Sequence, residues 1–156
     1  MPTPPAPPVR HFEDYPQGAV FELGSIKVQP DELRSFAQRF DPQPFHVDAQ
    51  AAAASPYGGI IASGWHTGSL TMRLLATQFL SPASSLGSPG IDELRWLAPV
   101  RGGDELWVRV TIESARRSAS NPQRGVVISR IETRNQEGDL VMSMKAVNLL
   151  RCRPIG

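Results

Sequence analysis

In the stretch 106–112, LWVRVTI, the apolar residues Leu106, Val108, Val110 and Ile112 alternate with Trp107, Arg109 and Thr111. A period of two is what a strand with one inward face requires. Two further strands are expected over 126–134 and 139–150, joined by the turn Asn135-Gln136-Glu137-Gly138. Residues 91–100 are strand-like and run into a Pro-Val-Arg-Gly-Gly-Asp turn. Residues 19–28 read as a first strand with a bend or bulge at Gly24. The polar run 114–125, SARRSASNPQRG, reads as a hairpin connection.

The first half has the other period. Leu33, Phe36, Ala37 and Phe40 recur at i, i+3, i+4 and i+7, so QPDELRSFAQRF predicts a helix with one buried face. Pro30 suits its first turn, and Asp31 and Glu32 complement the positive end. It must stop near Asp41, because a residue before proline is pushed out of the α region. Residues 47–55 predict a second short helix or turn capped by Asp48, and 56–64 a loop with adjacent glycines. The longest helix is expected over 63–80. Arg73 is its only charged residue, and its apolar residues spread around the circumference, so it should be enclosed. Thr67, Gly68, Ser69 and Thr71 are small enough to let something pack closely.

Helices first and antiparallel strands afterwards make an α+β fold. A curved antiparallel sheet wrapped around one long central helix would bury 63–80, with the short helices as a flap. The exposed edges of such a sheet are commonly covered by a second subunit, so a homodimer is expected.

Composition narrows the function. The 156 residues fit one soluble domain, with 40% hydrophobic and 20% charged residues and a formal net charge of +1. No global field favours nucleic acid or an anionic membrane, and no run is long and apolar enough to span a bilayer. The single cysteine, Cys152, excludes a disulfide within the chain and fits a cytoplasmic setting. Its place in a tail predicts no chemical role. MPTPPAPPVR begins a proline-rich arm, residues 1–12, expected to be disordered and not a secretory signal. His11, His46, His66 and Cys152 show no metal-ligand spacing, and no phosphate-binding loop is present.

Chemistry concentrates at 40–46, FDPQPFH. Asp41 and His46 bracket Pro42 and Pro44. A carboxylate and an imidazole that titrates near neutrality can share a water and move its protons. The same residues also read as a helix terminator and a loop residue. His66, in the first turn of the long helix, reads as a hydrogen-bonded core histidine ahead of a catalytic one.

Four segments together resemble the MaoC-type acyl dehydratases, the single-hotdog relatives of (R)-specific enoyl-CoA hydratases. FDPQPFHVDAQAAAAS is similar to the family's Asp-x-Asn-Pro-x-His motif, with Asp41, Pro44 and His46 falling on it. GGIIASGWHTGSL resembles the start of the hotdog helix, with Gly64 eighteen residues after His46 as the family's oxyanion-hole glycine is. LRWLAPVRGGDELWVRV and IETRNQEGDLVMSMKAVNLL resemble the family's later strands. The match runs over roughly residues 15–150.

The resemblance implies a hotdog fold in a single domain over 13–152. It implies reversible hydration or dehydration of an enoyl or 3-hydroxyacyl thioester, carried on coenzyme A or an acyl carrier, with no cofactor. His46 would be the general base toward water. Asp41 would orient that water and help deliver the proton. The Gly64 N–H would meet the thioester oxygen; as a bare sequence feature, Gly64 is equally a simple helix-start glycine. Gln43, Ser63 and Trp65 would contact substrate, though Trp65 also reads as core. Gln43 stands where the family has asparagine. Arg116, Arg117 and Arg124 are candidates for the coenzyme A phosphates, with a solvated loop the favoured reading. Two alternatives remain: a hotdog acyl-CoA thioesterase, and a non-catalytic acyl-CoA-binding accessory subunit.

Overall fold

The computed structural model describes residue 3 and residues 6–155. Its strands are β1 (Val20–Lys27), β2 (Gly90–Trp96), β3 (Glu105–Arg117), β4 (Arg124–Arg134) and β5 (Leu140–Arg151). They form one antiparallel sheet in the order β1-β3-β4-β5-β2. The alternation in β3 does what its period demands. Leu106, Val108, Val110 and Ile112 are all buried on the inner face, where Val127, Ile131, Val141, Met144 and Leu150 join them in the core.

Two strand expectations need correction. The polar run 114–125 is mostly strand: Ser114 to Arg117 pair with Ile128 to Gly125, leaving only 118–123 to turn. A register shift between Ile112 and Ser114 keeps the ladder going after the inward apolar pattern ends. The strand expected over 91–100 ends at Trp96, and Leu97–Val100 leave the sheet ahead of β3. The bulge expected at Gly24 is present. The β1–β3 register shifts between Glu22 and Ser25, and Gly24 has φ +79°, a conformation that glycine adopts without strain.

The helices are α1 (Pro30–Phe40), α2 (Pro44–Val47), α3 (Ala49–Ala53) and α4 (Gly64–Leu74). Pro30 opens α1, whose Leu33 and Ala37 are buried. Phe40, expected on the same buried face, is 60% exposed. It occupies the last helical position, between the Phe36 ring and the Arg39 guanidinium. Asp48 caps α3 by accepting the N–H groups of Gln50 and Ala51. After α4 the chain continues as a π turn, Leu75–Phe79, closed by a 2.8 Å bond from Leu80 N–H to the Leu75 carbonyl.

α4 packs on the inner face of the sheet, and Thr71 and Thr133 join their hydroxyls across that contact at 2.8 Å. The helix is not enclosed within one chain, contrary to the expectation from its composition. Thr67, Leu70, Thr71 and Leu74 are buried, while Trp65, Ser69, Met72 and Ala76 form an exposed stripe. Five strands cover one side of a helix, and the other side is left apolar.

Four residues of the proline-rich arm, 1, 2, 4 and 5, lie outside the described ones. Arg10 donates to the carbonyls of Gln78 and Phe79, and the Tyr15 hydroxyl donates to the Phe79 carbonyl at 2.6 Å. Phe12 packs on Gly125, where a β-carbon would fall 2.3 Å from its ring. Among the described residues no helix is long and apolar enough to cross a membrane.

Candidate active site

The first motif folds into a helix stop and a one-turn helix. Asp41 caps α1, its N–H bonded to the Ala37 carbonyl at 2.8 Å, and its φ of −151° with ψ 67° lies outside the α region that Pro42 disfavours for the residue before it. Pro44 then starts α2, where its missing N–H costs nothing. That single turn swings His46 back to Asp41. His46 Nε2 lies 3.2 Å from Asp41 Oδ2.

The His46 ring is 4% exposed, and its Nδ1 lies 2.8 Å from the Ile61 carbonyl. A carbonyl oxygen can only accept, so Nδ1 carries the hydrogen. In the neutral ring Nε2 is therefore the lone-pair nitrogen, facing Asp41. Asp41 is held on the other sides as well. Its Oδ2 accepts from the Ser63 hydroxyl and its Oδ1 from Gln43 Nε2, each at 2.7 Å. Burial pushes the Asp41 carboxyl up. The bonds from Ser63 and Gln43 outweigh it, and when the His46 ring is protonated its positive charge and Nε2–H add to them, so the carboxyl is held below its ordinary value.

Ser63 is also the N-cap of α4, accepting the Trp65 N–H at 3.3 Å. The carboxylate is thereby fastened to the start of the central helix. Gly64 is that helix's first residue, and first-turn N–H groups have no carbonyl partner within a helix. Asp41, Gln43, His46, Gly64 and Trp65 all border one cavity of about 450 Å³, open to solvent.

The structure thus brings together five of the six residues that the sequence nominated. Ser63 is the exception. It is fully buried, does not border the cavity and instead positions Asp41. His66 is a core residue: Nε2 lies 3.2 Å from Glu32 Oε1 and the ring stacks on Phe36. Arg117 and Arg124 stand apart from the cavity. They line a second cleft, with Arg151 and Arg153, where β3 and β5 end and β4 begins.

Sequence reasoning missed the Ile61 carbonyl, which chooses the histidine tautomer, because a backbone acceptor has no residue-type signature. It also missed Phe45, Tyr57 and Trp96, which wall the cavity. Phe45 meets His46 edge-on at 4.5 Å. Trp96 meets Trp65 edge-on at 5.0 Å and lies so close to Gly64 that a β-carbon there would fall 2.5 Å from its indole.

Comparison with known proteins agrees with this fold. A family model described as MaoC like domain matches residues 13–135. The crystal structure of the MaoC-like dehydratase from Rhodospirillum rubrum superimposes with a TM-score of 0.87 at 39% identity, covering 94% of this chain and all of that one. The (R)-hydratase from A. caviae involved in PHA biosynthesis gives a TM-score of 0.67 at 26% identity, over 88% of this chain and 96% of that one. A 3-hydroxybutyryl-CoA dehydratase of Methylorubrum extorquens is 31% identical over 105 residues, which are 67% of this chain and 64% of that protein.

Proposed function

The chain belongs to the MaoC-like dehydratase family of hotdog proteins, and from that premise we propose that it reversibly hydrates a trans-2-enoyl thioester to a 3-hydroxyacyl thioester. The observation that carries this reading is the pairing of His46 Nε2 with Asp41 Oδ2 at 3.2 Å while Nδ1 is committed to the Ile61 carbonyl. An imidazole fixed in that way presents a basic nitrogen beside a carboxylate, at the edge of a cavity.

In the hydration direction His46 Nε2 takes a proton from water as the water oxygen bonds to the β-carbon. Asp41, held ionised, accepts the water's second hydrogen and orients it. The carbon–carbon π electrons move toward the thioester, and the α-carbon receives a proton from the same acid–base pair. Negative charge that builds on the thioester oxygen meets the Gly64 N–H and the positive end of α4. The atoms balance with water alone, so no cofactor is required. The thioester carrier is coenzyme A or an acyl carrier.

Gln43 supports the enzymatic reading over a binding subunit. Its longer side chain still delivers an amide N–H to Asp41 Oδ1 at 2.7 Å, so the extra methylene relative to asparagine does not break the carboxylate's support. The exposed stripe of α4 and the edge strand β2, with Ile91 and Trp96 each more than two-fifths exposed, support a homodimer that covers both. A cytoplasmic location accords with a lone cysteine.

The test is crotonyl-CoA hydration by the wild type, Asp41→Asn and His46→Ala. Each variant is expected to lose roughly 10²- to 10⁴-fold in kcat, the usual contribution of a positioned acid or base. Equal activity in all three, or an inert wild type across enoyl-CoA chain lengths, overturns the assignment.

A further inference from the structure

Strand β2 is irregular just before it reaches the cavity. Its ladder with β5 shifts between Asp92 and Arg95, and Glu93 in the gap has φ +53°. Among the described residues it is the only non-glycine with a positive φ. A left-handed glutamate is a strained choice, and a bulge re-aims the side chains beyond it. Pairing resumes at Arg95 with Ser143 and at Trp96 with Met142. The Trp96 indole then lies over Gly64, its ring atoms 2.5–2.8 Å from where a β-carbon would stand.

Within one chain Trp96 is 43% exposed, and the contact that fixes its ring there is with the start of α4. The indole closes one side of Gly64, Trp65 braces it edge-on, and both rings border the Asp41–His46 cavity.

We propose that Trp96 is a specificity-determining residue: its indole against Gly64 admits acyl groups unbranched at the carbon next to the thioester carbonyl and turns away those with a methyl there. This rests on the hydration reading, which puts the thioester oxygen on the Gly64 N–H. An oxygen at hydrogen-bond distance, about 3 Å from that nitrogen, brings the carbonyl carbon and its α-carbon beside the Gly64 Cα. A flat, unbranched enoyl unit can lie along the ring face. A methyl on the α-carbon projects into the indole, which is braced edge-on by Trp65 and can retreat only by displacing it.

One methyl group in a packed site discriminates by roughly 10- to 200-fold. The wild type is accordingly expected to bind butanoyl-CoA at least tenfold more tightly than its isomer 2-methylpropanoyl-CoA, measured calorimetrically. It is expected to favour crotonyl-CoA over 2-methylcrotonyl-CoA by a similar factor in kcat/KM. Trp96→Val should bring both ratios within about threefold of unity, and Trp96→Phe, which keeps an aromatic wall and guards against misfolding of the first variant, should give intermediate ratios. No preference in the wild type, or ratios unchanged in Trp96→Val, overturns the proposal while leaving hydration of crotonyl-CoA standing. The expected binding ratios with no enoyl-CoA hydration would sink the hydration reading and leave the wall in place.

Discussion

The Ser63 hydroxyl gives its hydrogen to Asp41 Oδ2 over 2.7 Å while its oxygen accepts the Trp65 N–H. One side chain thus caps the central helix and holds down the carboxylate of a different element. Removing it should have two separable effects. Ser63→Ala should cost about 1 kcal/mol through the lost cap. It should also let the Asp41 carboxyl rise toward its ordinary value. Because Asp41 is depressed in the folded protein, its contribution to stability is present above the unfolded pKa and disappears as pH falls through the folded one. Urea unfolding at pH 7 and at pH 3 should therefore show a larger gap between wild type and variant at pH 7. Equal gaps would mean that Ser63 does not tune Asp41.

Gln43 supports the other carboxylate oxygen from an exposed position. In Gln43→Ala the Asp41 carboxyl should rise toward its ordinary value, followed by the pH dependence of its carboxyl carbon-13 shift, with a fall in plateau activity smaller than that of Asp41→Asn. A carboxyl titration and activity identical to the wild type would remove Gln43 from the site.

The bond to Ile61 dictates where the neutral His46 ring keeps its hydrogen. Nitrogen-15 NMR of the neutral ring should show the Nδ1–H tautomer for this residue. The Nε2–H form would be incompatible with Nε2 as the base toward water.

Gly64→Ala places a methyl in the Trp96 indole. Trp96 must shift, at a cost of about 1–3 kcal/mol. Hydration should fall more steeply than stability, since the same methyl crowds the N–H offered to the thioester. A variant with normal activity would show that substrate does not approach Gly64.

Thr71 and Thr133 share a hydrogen between two fully buried hydroxyls. Thr71→Val should cost about 1–3 kcal/mol by stranding Thr133. The double variant with Thr133→Val should recover most of that loss in thermal unfolding. Additive losses would show that packing, not the hydrogen bond, governs the contact.

How far the sequence revealed this molecule depended on the range of the deciding force. The alternation of Leu106, Val108, Val110 and Ile112 and the proline at α1's first turn act over a few residues, and they emerged as read. Asp41 and His46 were visible for the same reason: Pro42 and Pro44 confine the chain between them. The length of β3 was not visible, because cross-strand pairing with β4 overrides the polarity of 114–117. Nor was the exposed side of α4, since composition records how apolar a helix is and not how many neighbours one chain supplies. Ser63 was nominated as a substrate contact when its real partner is a carboxylate 22 positions earlier in the chain. Trp96 was missed because its role depends on a bulge three residues before it, at Glu93.

The π turn at the end of α4 has a consequence for what evolution can delete. A π turn holds one residue more than an α turn, so it acts as a phase adjuster between a helix and the next anchored side chain. In this chain that side chain is Phe79, whose ring meets Tyr15 and Phe21 and whose carbonyl receives both the Tyr15 hydroxyl and Arg10. Removing one residue from 75–79 would restore ordinary helix but rotate Phe79 by about 100°, away from all four contacts. Ala76, Thr77 and Gln78 are at least partly exposed and tolerant in kind. Their number is the constraint, and the N-terminal segment docks only on a chain that keeps it.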